Sequence, residues 1–271
     1  MSSAIRNNDN GCNMSEPILC SKSGTVGIIE VARPDKFNCL SSRAWELIDQ
    51  ARNDFEAGEQ IRSILVRAQG KNFCTGADLD EVKSLRANPD ETKQFIDRGH
   101  AALLALEGSR LPVVAAVQGL CLAGGIELML GADVVFAAKS ARIGDQHAQY
   151  GLVPGWGGSQ RLARVIGMRR ALDVMFSARW LEADEALAVG LVNYVSDDDV
   201  LWDEAMAYAV KLAERSRAGL AEMKRLARAG LDLDARAAMQ LEATAAADHL
   251  LGPDTEEGLA AFEERRKPNF A

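Results

Sequence analysis

The chain has 271 residues, 48% hydrophobic and 26% charged, which suits a soluble globular protein of one large α/β domain, with or without a helical appendage. A formal net charge of −8 speaks against a nucleic-acid or anionic-membrane surface as the main partner and leaves room only for a local basic pocket. No apolar run reaches the ~18 residues a spanning helix needs. The nearest approach, 111–130, is broken by Pro112, Gln118, glycines and Glu127, and reads as a buried strand running into a helix.

In chain order, residues 1–16 are rich in Ser and Asn and have no apolar core. They read as a disordered tail, neither a signal peptide nor an Arg-rich transit peptide, with Met14 a possible alternative start. Runs of β-branched residues predict strands at 25–31, 61–66, 113–117 and 133–137. A helix is predicted over 41–57, opened by Ser41, with Leu47, Ile48, Ala51 and Phe55 on one face. Residues 82–97 read as a variable loop. The alternation of strand and helix argues for an α/β fold with parallel pairing, and the core is placed at 17–197. From about Asp198 the chain becomes rich in Ala, Leu, Arg and Glu, with Gly252 and Pro253 as a break, which predicts three or four helices over 198–271. Their apolar faces exceed what a small bundle covers, so they pack on the core or on a sister subunit. Five cysteines without a CxxC pair read as reduced thiols in a cytoplasmic protein, and three histidines without zinc-ligand spacing predict no metal.

Two glycine-bearing segments carry the most chemistry: Phe73-Cys-Thr-Gly-Ala-Asp-Leu79 and Gly119-Leu-Cys-Leu-Ala-Gly-Gly-Ile-Glu127. Each reads as a strand end turning through glycine into a helix, which leaves backbone N–H groups without partners. Facing each other, two such turns can hold one developing oxyanion, as a thioester carbonyl requires. Taken alone, each turn is equally a place where glycine permits a tight bend. The pair, followed by Glu127, resembles the enoyl-CoA hydratase/isomerase (crotonase) superfamily over the chain from about Thr25 onward. That resemblance implies a crotonase-like spiral of ββα turns with a C-terminal helical oligomerisation region. It maps the two oxyanion donors to Ala77 and Gly124.

Glu127 follows Gly124 by one helical turn, on a helix that is otherwise Ile, Leu, Met, Leu. A carboxylate there is costly without a purpose. It is either a complement to the helix dipole or a general base whose pKa burial raises. The resemblance makes it the first of two catalytic glutamates. The second glutamate position, counted back from Gly151, is His147, a departure from the family pattern. An imidazole can give and take a proton at neutral pH, so His147 either protonates the α-carbon or only shapes the acyl pocket. Asp145, on the same side if 145–147 is extended, would orient it. Trp156, in Pro154-Gly-Trp-Gly-Gly158, walls the acyl pocket or is plain packing. Asp78 and Leu79, next to the first donor, are taken as substrate-contacting positions.

For coenzyme A, the resemblance points to Lys36 and Lys71 near the nucleotide end, and to Phe262 and Arg265 as an aromatic and a cation offered across a subunit interface. Asp80 stands where many relatives carry lysine, which puts phosphate contacts there in question. Nucleophile elbow, Walker A and dinucleotide fingerprint are absent, and Cys74 is the one thiol near the site. The expectation is an acyl-CoA lyase that adds or removes water across a 2,3-double bond, needing no cofactor beyond the coenzyme A of its substrate. It would act as a homotrimer or dimer of trimers. The alternatives are hydrolysis, C–C cleavage or isomerisation in the same enolate pocket, and a non-catalytic acyl-CoA-binding subunit.

Overall fold

The computed structural model describes residues 16–270. The chain opens with a hairpin, β1 (Ile18–Ser23) and β2 (Val26–Val31), followed by α1 (Ser42–Ala57) and β3 (Ser63–Ala68). Next come α2 (Leu79–Leu85), α3 (Pro89–Glu107), β4 (Val113–Val117), β5 (Leu120–Leu122) and α4 (Gly124–Leu130). Then follow β6 (Val134–Ala138), β7 (Arg142–Gly144), α5 (Gly158–Ile166), α6 (Met168–Ser177), β8 (Leu181–Glu182), α7 (Ala183–Ala188) and β9 (Tyr194–Ser196). Four helices close the chain: α8 (Leu201–Ala213), α9 (Arg217–Gly230), α10 (Ala235–Leu250) and α11 (Pro253–Glu263).

The strands form two sheets. The larger has the order β1-β2-β3-β4-β6-β9, antiparallel only at the β1–β2 edge, and the smaller has the order β5-β7-β8. Successive turns of chain give one strand to each sheet and then a helix: β4, β5, α4, then β6, β7, α5. An isolated bridge between Cys74 and Cys121 extends the same pattern to the turn that begins with β3. This is the ββα spiral.

The interior strands β4 and β6 are apolar throughout, and β2 and β3 largely so, because both faces of the large sheet are covered. Along β3, Ile64 and Val66 enter the main core with α1 and α3, while Leu65 joins Val114, Ala116 and Phe136 beneath Leu201, Ala205 and Ala209 of α8. The first of the C-terminal helices therefore shares a core with the sheet. Helix α1 starts where its sequence said it would: Ser41 caps it, its hydroxyl accepting from the Ala44 amide, a contact worth about 1 kcal/mol.

Residues 82–97 differ from expectation. They belong to α2 and α3, not to a loop, with only 86–88 between the two helices. Asn88 accepts from the amides of Asp90 and Glu91 and Pro89 opens α3, so the polar, Pro-containing stretch marks a helix start. The tail predicted at 1–16 lies outside the described residues except for Glu16, which pairs with Arg43 at 3.2 Å.

Candidate active site

Two turns meet at the mouth of the small sheet. In the first, Leu40 straddles Ala77: its N–H donates to the Gly76 carbonyl at 2.8 Å, and its carbonyl accepts from Asp78 at 2.9 Å. The N–H of Ala77 itself has no acceptor among the described residues. Gly76 supplies the φ of 108° that turns the chain. In the second turn, Ala123 is held at φ 51° and ψ −119°, a strained conformation for an L-residue costing on the order of 1–3 kcal/mol. Its N–H is tied to the Gly144 carbonyl at 3.0 Å. The strain aims the Gly124 amide, the first of α4, away from the helix and into a cavity, again without an acceptor among the described residues. A methyl group on Gly76 would come within 3.0 Å of the Gly124 nitrogen, so the two turns are in contact.

Helix α4 is buried along its whole length, Glu127 included. One carboxylate oxygen, Oε1, accepts from the Trp156 amide at 2.7 Å and from the Gly158 amide, the first of α5, at 2.8 Å. The other, Oε2, is buried and has no partner among the described residues. Burial raises the Glu127 pKa above the ordinary carboxylate value, against the opposing pull of the two amides and of His147. The helix-dipole reading does not explain the bare oxygen, which is placed to accept a proton.

His147 reaches the same cavity. Its Nδ1 lies 2.8 Å from Asp145 Oδ1, which fixes the ring and leaves Nε2 for the cavity. Burial alone would lower the imidazole pKa, but the hydrogen bond and charge of Asp145, with Glu127 nearby, outweigh it and raise the value. The segment is not extended as expected. β7 ends at Gly144 and His147 has φ −60° and ψ −46°; the pairing is made by an Asx-type turn in which Asp145 Oδ1 also accepts from the His147 N–H at 3.1 Å.

Ala77, Gly124, Glu127, His147, Leu79 and Trp156 line one cavity of about 140 Å³. The remaining wall was not foreseen and is mostly apolar: Val82, Leu85, Phe95 and Ile96 from α2 and α3, with Leu152 and Val153, while Arg86 and Thr92 add polar groups. Trp156 is both wall and packing. Its ring meets Trp45 edge-on at 4.8 Å and Phe95 at 5.3 Å, and lies against Gly124 so closely that a methyl there would come within 2.5 Å of Cζ3.

Five predicted contacts lie elsewhere. Asp78 does not line the cavity: it caps α2 and pairs with Arg33 at 2.8 Å. Burial would raise its pKa, but Arg33 and the Asp80 and Glu81 amides hold it below the usual carboxylate range. Lys36 pairs with Asp80 at 3.2 Å on the exposed rim, so the acidic replacement neutralises a cation assigned to coenzyme A. Lys71 is exposed, and Phe262 and Arg265 are exposed at the end of α11, away from the cavity wall of their own protomer. Cys74 is buried, with its thiol pushed up to about 12, and is no nucleophile.

The family profile for enoyl-CoA hydratase/isomerase matches residues 21–271. The chain is 32% identical over 251 residues to the short-chain-enoyl-CoA hydratase of Clostridium acetobutylicum, covering 92% of this chain and 95% of that one. It is 32% identical over 250 residues to the mitochondrial methylglutaconyl-CoA hydratase of Rattus norvegicus, covering 90% of this chain and 79% of that one. Among solved structures, an enoyl-CoA hydratase from Polaromonas sp. JS666 superimposes with a TM-score of 0.91 at 27% identity, covering 94% of this chain and 99% of that one. Another from Bacillus anthracis gives 0.89 at 30% identity, covering 94% and 98%.

Proposed function

The chain belongs to the enoyl-CoA hydratase/isomerase family, and on that premise we propose that it hydrates the 2,3-double bond of an enoyl-CoA thioester, with Glu127 as base and His147 as acid. The observation that carries this reading is the bare Oε2 of Glu127, in one cavity with an Asp-oriented imidazole and two amides that have no acceptor among the described residues.

The thioester oxygen sits between the Ala77 and Gly124 N–H groups. Glu127 Oε2 takes a proton from water as its oxygen bonds to C3. The π electrons of the 2,3-bond form a C1–C2 double bond as the carbonyl π pair moves onto its oxygen, and the two amides stabilise the resulting enolate. As the enolate collapses, C2 takes the proton from His147 Nε2. Transfer of the proton now on Glu127 to the neutral imidazole, through solvent, restores both groups. The scheme needs Glu127 ionised and His147 protonated together. Both pKa values are raised, which keeps the base strong and the imidazolium abundant towards neutral pH. No cofactor is required beyond the coenzyme A that the substrate carries.

The departure at His147 supports a second reading. If the imidazole only shapes the pocket, Glu127 is a lone proton shuttle, and isomerisation of the double bond or hydrolysis gains ground. Turnover of enoyl-CoA substrates followed by mass spectrometry separates these: hydration adds one water with the thioester intact, isomerisation adds nothing, and hydrolysis frees coenzyme A. A non-catalytic acyl-CoA-binding role would leave the buried, two-amide seat of Glu127 without a purpose.

The same reading extends to assembly and setting. No residue of α10 is buried within the protomer, and Met239, Leu250, Leu251, Leu259 and Phe262 stand between 61% and 89% exposed, a face that a homotrimer would cover. Phe262 and Arg265 would then reach the coenzyme A of a neighbouring protomer. Cys39, Cys74 and Cys121 are free thiols, which fits a reducing, cytoplasmic setting.

A further inference from the structure

The two amides that seat Glu127 belong to a turn, 154–158, whose side chains make no hydrogen bond among the described residues. What pins it from beneath is Arg161. This residue is only 8% exposed, and its Nη1 donates to the Trp156 carbonyl at 2.8 Å, on the same residue whose N–H holds Glu127. Its other two donors, Nε and Nη2, both reach Glu107 Oε2, at 2.9 and 2.7 Å. Gly157 records how closely the guanidinium underlies the turn: a methyl group there would come within 2.1 Å of Arg161 Nη1.

Glu107 ends α3 and is itself fixed. Its Oε1 pairs with Arg228 of α9, and Arg228 reaches Asp133 at 2.9 Å. Asp133 also takes the Val113 amide at 2.8 Å and Lys224 at 2.6 Å, which ties the chain of charges to the first residue of β4. Five charged side chains thus run from the sheet and α9 to the peptide that seats the base.

We infer that Arg161, clamped by Glu107, is a positioning residue for Glu127: it fixes the Trp156–Gly158 turn so that both amides converge on Oε1 and Oε2 is left facing the cavity. This rests on the reading of Glu127 as the base. Arginine suits the role because its planar guanidinium gives Glu107 two donors, Nε and Nη2, while turning a third, Nη1, to the Trp156 carbonyl. The group touches no substrate, so its loss alters the seating of the base more than the binding of the thioester.

The test uses full-length Arg161→Lys and Glu107→Gln, with crotonyl-CoA as probe, measuring kcat, KM, the pH profile of kcat/KM and thermal unfolding. Arg161→Lys keeps the charge and the attraction to Glu107 but loses the Trp156 contact. Its kcat is expected to fall about tenfold or more with KM within about twofold. Its acidic limb should move to higher pH, because the amides that oppose the raised pKa of Glu127 no longer converge. Glu107→Gln, which changes the local charge, is read by the split between kcat and KM alone, with the same fall expected. The proposal is overturned if folded Arg161→Lys keeps the wild-type kcat and acidic limb. It is equally overturned if folded Glu107→Gln keeps the wild-type kcat, or if neither variant folds, since the pair would then be a determinant of the fold. Glu127→Gln is the separate control: full hydration by that variant would remove the assigned base itself, whatever the Arg161 variants did.

Discussion

Asp145 grips His147 twice through a single oxygen, Oδ1, which lies 2.8 Å from the imidazole Nδ1 and accepts from the backbone N–H at 3.1 Å. The second oxygen of Asp145 is buried without a partner among the described residues. The carboxylate is thus committed to orienting one ring and to favouring its protonated form.

Replacing that carboxylate should be visible as a pH effect. Asp145 raises the His147 pKa against burial, so Asp145→Asn should lower it. Hydration needs the imidazolium, so the basic limb of kcat/KM should move to lower pH while the acidic limb, set by Glu127, stays nearly in place. A pH–rate profile from about pH 5 to 10 measures both limbs. An unmoved basic limb would assign it to another group.

Gly124 admits no side chain. Its amide is the proposed oxyanion donor and its Cα lies against the Trp156 ring, where a methyl would come within 2.5 Å. Gly124→Ala should displace the amide or the ring, and Gly124→Pro removes the donor. Loss of one donor is expected to lower kcat by about 10²–10³ with the fold retained. Activity within a few-fold of wild type for both would mean that the carbonyl is held elsewhere.

Glu127 and His147 should behave as one unit. Glu127→Gln and His147→Ala are each expected to lower kcat by roughly 10²–10⁴, and the double variant by less than the product. If His147→Ala leaves the hydration rate intact and changes only which acyl groups are accepted, the imidazole is a wall of the pocket.

Assembly is tested by sedimentation of the full-length protein. A trimer or dimer of trimers is expected. Charged replacements at Leu251 and Leu259, on the uncovered face of the C-terminal helices, should weaken it. A stable wild-type monomer at assay concentration would contradict the assignment of that face.

Much of this was legible in the chain because the informative residues act locally. Val113–Val117 is apolar at every position since both faces of the sheet are covered, and Gly76, just before Ala77, is demanded by its φ of 108°. The edge strand β1 escaped notice because its last four residues are exposed, and β5, β7 and β9 because three residues carry no period. The partnership of Asp145 with His147 was readable, but the turn that makes it was not: Asp is as much a local cap as a strand neighbour. Asp78 was misplaced on the cavity wall for the same reason, since its role is a cap and an ion pair with Arg33, a residue remote in sequence. The contacts of Arg161 with Glu107 and with the Trp156 carbonyl join α5 to α3 and to the turn before it; a sequence shows the residues but not their meeting.

The most direct test of the account is crotonyl-CoA turnover in H₂¹⁸O, followed by mass spectrometry of the intact thioester. Wild-type protein should yield 3-hydroxyacyl-CoA carrying one ¹⁸O on its acyl chain, and Glu127→Gln should slow that product by roughly 10²–10⁴. Free coenzyme A with ¹⁸O in a released carboxylate, or labelled product formed at the wild-type rate by Glu127→Gln, would contradict it.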